Sequence, residues 1–301
     1  MRKALKVLAV LAVVLLLTGA VLGTATYAKS SAAIHRAYTI DQPPLPVPTD
    51  SASLTRGSHL VEGVLSCKEC HGADHGGTLL IDARPFMLLP APNLTRGTGG
   101  VAPRLREVDW VRAIRHGVGH DGRALAVMPS RAYQHLSDAD LGAVIAYLQR
   151  LRPVNRALPE RSFGPISRFL IANEKLPLFG ADSIDHAAVR SVASPPRVVT
   201  VEYGRYLADI AGCTDCHGPG LSGGPLAAGP PDAPPASNLT PAGIGAWTEL
   251  EFRRALREGE GSGGRQLNEL MPWRSLRLTD EELRALWLFV CSVPPKPFGN
   301  R

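Results

Sequence analysis

The sequence predicts an all-α chain in which an N-terminal membrane helix is followed by two copies of one helical unit. Three observations carry this. An apolar run from Val7 to Leu22 stands directly behind Arg2, Lys3 and Lys6. The string SCKECHG at residues 66–72 returns as GCTDCHG at 212–218. Each half closes on an amphipathic helix pattern with an N-terminal cap, Ser137 with Asp140 in one and Thr279 with Glu282 in the other.

The opening segment, residues 1–25, reads as a signal anchor. Positive charge ahead of an apolar run stays in the cytoplasm and the remainder is exported. Counting Ala4, Leu5 and Gly23, the run approaches the roughly 20 residues that cross a bilayer. We therefore expect an uncleaved helix in the inner (cytoplasmic) membrane, with the body in the periplasm or outside; Thr26-Tyr27-Ala28 leaves processing by a signal peptidase open. Residues 26–50 form the next segment, and its DQPPLPVPTD stretch is expected to act as a stiff extended spacer that holds the first unit off the membrane.

The two units occupy residues 51–156 and 200–301, joined by residues 157–199. Their kinship shows in the spacing: Cys67 returns as Cys213, Asn93-Leu94-Thr95 as Asn238-Leu239-Thr240, and Met128-Pro129 as Met271-Pro272. The small drift in offset is what short loop deletions in a duplicated unit leave behind. Each copy opens with a short helix pattern ending at its cysteines, and Gly57 and Gly204 in those helices would let another backbone approach closely. Between first and last helix, VDWVRAIRHG and TELEFRRALREG supply one more each, the second with a capping box at Thr248 and Glu251. With 33 Lys and Arg against 27 Asp and Glu, and no basic run in the body, nucleic acid is not an expected partner.

Two thiols three residues apart at the end of a helical turn can add across the two vinyl groups of a haem, and the next residue then offers its imidazole to the iron. This is the attachment pattern of covalent haem c, and Cys67, Cys70 and His71, with Cys213, Cys216 and His217, supply it twice. A zinc site is the competitor, since two CxxC pairs could close one four-thiolate centre. Against it, each pair sits in its own repeat, each is followed by His, and export leaves free thiol pairs open to oxidation. Cys291, among Leu288, Phe289 and Val290, is expected to be a small buried core residue.

The sixth ligand follows by subtraction. Between Ser222 and Arg301 there is no histidine and a single methionine, Met271. The repeat alignment then selects Met128 in the first copy over Met87, His116, His120 and His135; those three histidines lie on polar stretches and are expected to face solvent. The iron ligands are thus expected to be His71 with Met128, and His217 with Met271.

The order of short helix, CxxCH, Asn-Leu-Thr loop, Met-Pro and a closing helix such as LSDADLGAVIAYL resembles class I cytochrome c, twice over, across residues 51–156 and 200–297. The tandem is similar to the cytochrome subunits of membrane-bound bacterial dehydrogenases and to anchored dihaem cytochromes. That resemblance implies two covalent haems c, an electron carrier rather than a catalyst, and redox protein partners: a dehydrogenase, another cytochrome or an oxidase. The dehydrogenase subunits usually carry three haems, whereas this chain has two attachment motifs. A dihaem peroxidase with one open iron is the rival from the enzyme class, and a haem sensor the rival among binding modules. In the family, a proline carbonyl just before the Asn-Leu accepts a hydrogen bond from the proximal histidine. Pro92 matches in the first repeat; the second has Ser237, so unless the carbonyl of Ala236 or Pro235 substitutes, the expectation is a missing bond, a less electron-rich second iron and electron flow from first domain to second. Within residues 157–199, the stretch 158–190 is too apolar for a solvated linker, with Phe163, Ile166, Phe169 and Phe179 among few charges, and is expected to fill the groove between the two domains in preference to lying on the membrane surface or a partner subunit.

Overall fold

The computed structural model describes residues 2–226 and 232–300. Helix α1 (Arg2–Ile34) is one unbroken rod. Its apolar residues from Leu5 to Leu22 are exposed, and among the described residues it is the one helix long and apolar enough to cross a membrane.

The first domain is built from α2 (Ser51–Gly63), α3 (Cys67–His71), α4 (Glu107–His116), α5 (Ser130–Tyr133) and α6 (Asp138–Leu148). Between α3 and α4 runs a hairpin of β1 (Thr78–Ala83) and β2 (Met87–Ala91), which a two-residue β3 (Ser162–Phe163) extends in an antiparallel sheet ordered β1-β2-β3. The chain is mostly helical, as expected, and this small sheet is the addition to it. The stretch TLLIDARPFMLLP has an apolar run on either side of a polar, proline-containing turn, which is a hairpin pattern, and it lies inside the first unit where no helical period was present to exclude it.

Helix α7 (Pro165–Ala172) follows, and then the second domain: α8 (Val201–Ile210), α9 (Cys213–His217), α10 (Pro241–Ile244), α11 (Glu249–Glu258) and α12 (Asp280–Ser292). The expected caps are in place. Ser137 accepts from the N–H of Asp140, and both Thr248/Glu251 and Thr279/Glu282 form complete capping boxes.

In each domain the first and last helices cross at close range, α2 on α6 and α8 on α12. A Cβ at Gly57 would lie 2.0 Å from the carbonyl oxygen of Ala143, and one at Gly204 would lie 2.0 Å from that of Ala285. Only glycine fits either crossing. Around them a single apolar cluster runs through both domains, with Leu60, Val61, Trp110, Leu141 and Ile145 from one and Leu207, Ile210, Leu283, Leu286 and Phe289 from the other.

Two segments expected between domains or away from them lie instead on the first domain. The proline-rich stretch is extended but docked: Leu45 is buried in the main core, and Gln42 is buried with its amide donating to the carbonyls of Pro43 and Arg190. Its alternating apolar residues give an extended chain one face to bury, so it is no free stalk. Residues 157–199 likewise wrap the first domain rather than filling the interdomain groove. Ile171 and Leu178 form a second core with Ile34, Met87 and Leu89, and the N–H of Asp138 donates to Val192. The apolar content of that segment is used on the end of α1 and on the hairpin, which were available because the two domains pack directly on each other.

Candidate haem sites

The two CxxCH motifs form matching short helices, α3 and α9, each entered through a left-handed residue, Ser66 (φ 51°) and Gly212 (φ 74°). Each ends on a glycine at nearly the same angles, Gly72 (φ 80°, ψ 160°) and Gly218 (φ 81°, ψ 159°). His71 and His217 are both buried. The Nδ1 of His71 is 2.9 Å from the carbonyl oxygen of Pro92, and the Nδ1 of His217 is 2.7 Å from that of Ser237. A carbonyl can only accept, so each Nδ1 carries a proton, and in the neutral ring Nε2 keeps its lone pair. Burial lowers the pKa of His71 to about 4, which keeps the ring neutral near pH 7.

The Ser237 bond corrects the expectation that the second histidine lacks its anchor. The acceptor is a main-chain oxygen, which serine supplies as well as proline once the loop adopts the same path. Both loops do: Asn93 and Asn238 each accept from the N–H and hydroxyl of the threonine two residues on, at 2.9 and 2.7 Å in both domains.

Met128 and Met271 are half-buried. Each carbonyl accepts from the N–H two residues later, Ser130 and Trp273, at 2.8 Å. The intervening prolines share one conformation, φ −78° and ψ 48° at Pro129 against φ −80° and ψ 45° at Pro272. Met128 and Cys67 both pack against the main core, whereas Met87 is consumed by the second core. Of the three histidines expected in solvent, His120 and His135 are exposed but His116 is fully buried. Its Nε2–H donates to Gln42 Oε1 at 2.8 Å and its Nδ1 lies 3.1 Å from Nδ1 of His186, in a pocket closed by segments roughly 70 residues away on either side. Cys291 is exposed, contrary to expectation, because it sits on α12 next to the buried stripe of Leu286, Phe289 and Val290 rather than in it.

The set fits a covalent haem. Burial pushes the Cys67 and Cys213 thiols up to about 12, so both are protonated near pH 7. Among the described residues no three His, Cys, Asp or Glu side chains come together as a metal site, and the two cysteine pairs do not converge on one centre. A neutral imidazole, oriented by its own Nδ1–H and next in sequence to a thiol pair, is what a haem c site requires of the protein.

Sequence alone did not disclose how the two motifs face each other. Ser66, just before Cys67, has its hydroxyl 3.1 Å from that of Ser275 near the Met271 turn. Gly212, just before Cys213, lies against Ala132 near the Met128 turn; a Cβ there would be 3.7 Å from that of Ala132. These are the same contact read in both directions, so the domains are related by a pseudo-two-fold axis. The ion-pair network obeys it as well. His59 Nε2 is 2.8 Å from Glu282 Oε2, while the counterpart Tyr206 hydroxyl donates to Asp140 Oδ2 at 2.7 Å. Arg56 joins both, donating to Asp140 Oδ2 at 2.8 Å and to Glu282 Oε1 at 3.1 Å. Tyr133 fills the space between motifs. It donates to Leu65 O, and burial with the nearby Cys67, Cys70 and Asp215 raises its pKa far above the usual phenol value.

Residues 52–148 match the family model of cytochrome c oxidase, cbb3-type, subunit III, and residues 201–294 match that of cytochrome c. The chain therefore carries two cytochrome c-type domains in tandem. It is similar to the fructose dehydrogenase cytochrome subunit of Gluconobacter japonicus (27% identity, 84% of this chain and 55% of that protein). It is also similar to the alcohol dehydrogenase (quinone) cytochrome c subunit of Gluconacetobacter polyoxogenes (26%, 82% and 57%) and to the gluconate 2-dehydrogenase cytochrome c subunit of Pantoea cypripedii (27%, 82% and 61%). The chain spans little more than half the length of these relatives.

Proposed function

We propose that this chain is a dihaem c-type cytochrome that passes single electrons between redox protein partners. One haem is attached at Cys67 and Cys70 with His71 and Met128 as axial ligands, the other at Cys213 and Cys216 with His217 and Met271. Haem bound in this way supplies a one-electron iron couple held at both axial positions, which suits relay and leaves no open position for a substrate. The observation that carries the reading is the pseudo-two-fold contact. It sets each CxxCH turn against the methionine turn of the other domain, with the buried Tyr133 between them.

The residues do the rest. Pro92 and Ser237 fix the tautomer and plane of the two imidazoles. The Pro129 and Pro272 turns fix the methionines. Arg56, Asp140 and Glu282 keep the two domains at one separation, so that transfer between them needs no diffusive search. Helix α1 holds the chain in the inner membrane with both domains on the outer side. The names of the relatives point to a dehydrogenase as electron donor.

Alkaline pyridine haemochrome analysis of the purified chain should give two thioether-linked haems. The near-infrared methionine-to-iron band should integrate to two equivalents. A single haem, or haem extractable by acid acetone, overturns the attachment; two haems with one band or none overturns the ligand assignment.

A further inference from the structure

The C-terminal turns of α1 are not free. Helix α7 packs on them: Ile171 meets Ile34 in one core, Arg168 Nη1 donates to the hydroxyls of Ser30 and Ser31 at 3.1 Å, and its guanidinium lies 4.5 Å over the ring of Tyr27. These contacts fall between Tyr27 and Ile34, a rise of about 10 Å along the helix axis. A span of about 20 residues beginning near Ala4 ends at about Gly23, so Tyr27 stands at the level where tyrosine marks the membrane interface. Lys29 follows it at headgroup depth. Helix α7 is thereby held at the bilayer surface by the element that enters the bilayer.

Its composition suits that level. On an α-helix the buried Ser167 and Ile171 define one face, and Phe169 projects from the opposite one with Ile166 beside it. Ile166 is 64% exposed and Phe169 55% exposed, side by side at i and i+3. Two large apolar side chains turned outward, next to a cation and an interfacial tyrosine, are the pattern of a helix lying in a membrane surface. We propose that α7 rests in the plane of the outer leaflet with Ile166 and Phe169 seated in the headgroup–acyl boundary. The first domain is then pressed flush against the membrane rather than suspended on a stalk. The occupant of this face is lipid, because α7 is packed on the turns of α1 that leave the bilayer and so lies at its surface. The inference rests on the reading of α1 as a membrane anchor.

Spin labels test it in the full-length holoprotein reconstituted in nanodiscs of phosphatidylcholine and phosphatidylglycerol. Cys291→Ser removes the exposed thiol, and single labels are placed through Ile166→Cys, Phe169→Cys, Leu15→Cys in α1 and Leu250→Cys in the second domain. All four native side chains are solvent-exposed in the structure, so labelling does not disturb packing. Power saturation should show labels 166 and 169 relaxed more by oxygen than by a water-soluble nickel chelate, as at 15, and the reverse at 250. If 166 and 169 behave like 250 while 15 reads as lipid, the anchor stands and the α7 proposal falls. If 15 also reads as aqueous, both fall.

Discussion

At His217 a local rule names the right atom but ties it too closely to one residue type. The expectation that Ser237 removes the proximal anchor took proline to be needed for the carbonyl, whereas that peptide oxygen is one every residue owns. With 2.9 and 2.7 Å bonds on the two sides, the imidazole anchors give no ground for ordering the haem potentials or for a direction of flow. Under the proposed ligation, Met128 and Met271 are the residues whose removal tells the two domains apart. Met271→Ala should leave the haem attached, because neither thiol is touched, while opening the second iron to one equivalent of carbon monoxide and lowering its potential. Carbon monoxide titration of the reduced variant checks this; uptake no greater than in the parent would show that Met271 is not the ligand.

The elements that hold those methionines differ between the domains. The Met128 loop is tied by its neighbour segment: Val127 N–H donates to Leu178 O at 2.7 Å, and Ala126 bridges to Phe179. In the Met271 loop the N–H of Leu270 turns inward to Asn268 Oδ1 at 2.9 Å, and Leu270 is 47% exposed. A hydrogen bond is worth about 1 kcal/mol net, and about 1.4 kcal/mol is tenfold in an equilibrium. Cyanide should therefore displace Met271 with about fivefold greater affinity than Met128, measured on variants that each keep one CxxCH. Equal affinities, or a preference for the first domain, would refute the strap. The helices, their caps, the glycine crossings and the haem motifs were legible because each is a local pattern of spacing. The strap, the docked proline stretch and the burial of His116 were not. Each depends on chain that folds back from tens of residues away, and RHGVGH carries no mark of being covered by His186 and Gln42.

At the scale of the whole molecule, the domains are joined by charge buried at a pseudo-two-fold interface. Arg56, Asp140 and Glu282 have side chains only 10%, 8% and 5% exposed. Sequence inspection explains Asp140 and Glu282 as helix caps, and so hides their second role. Burial alone would raise the pKa of Glu282, but His59, the Thr279 N–H and Arg56 outweigh it and hold it at about 2. A carboxylate whose pKa is depressed by folding stabilises the folded form fully above its unfolded value of about 4.3, and this is lost as pH falls toward 2. Glu282 bonds to residues of both domains, so the loss falls on their contact first. Between about pH 4 and pH 2.5 the domains should separate while each keeps its haem. Small-angle scattering should register a rising radius of gyration before the near-infrared methionine bands fade. Glu282→Gln leaves Arg56 short of one counter-charge and should shift that separation toward neutral pH. If scattering and near-infrared bands change together in the parent, or the variant separates at the same pH as the parent, the network does not join the domains.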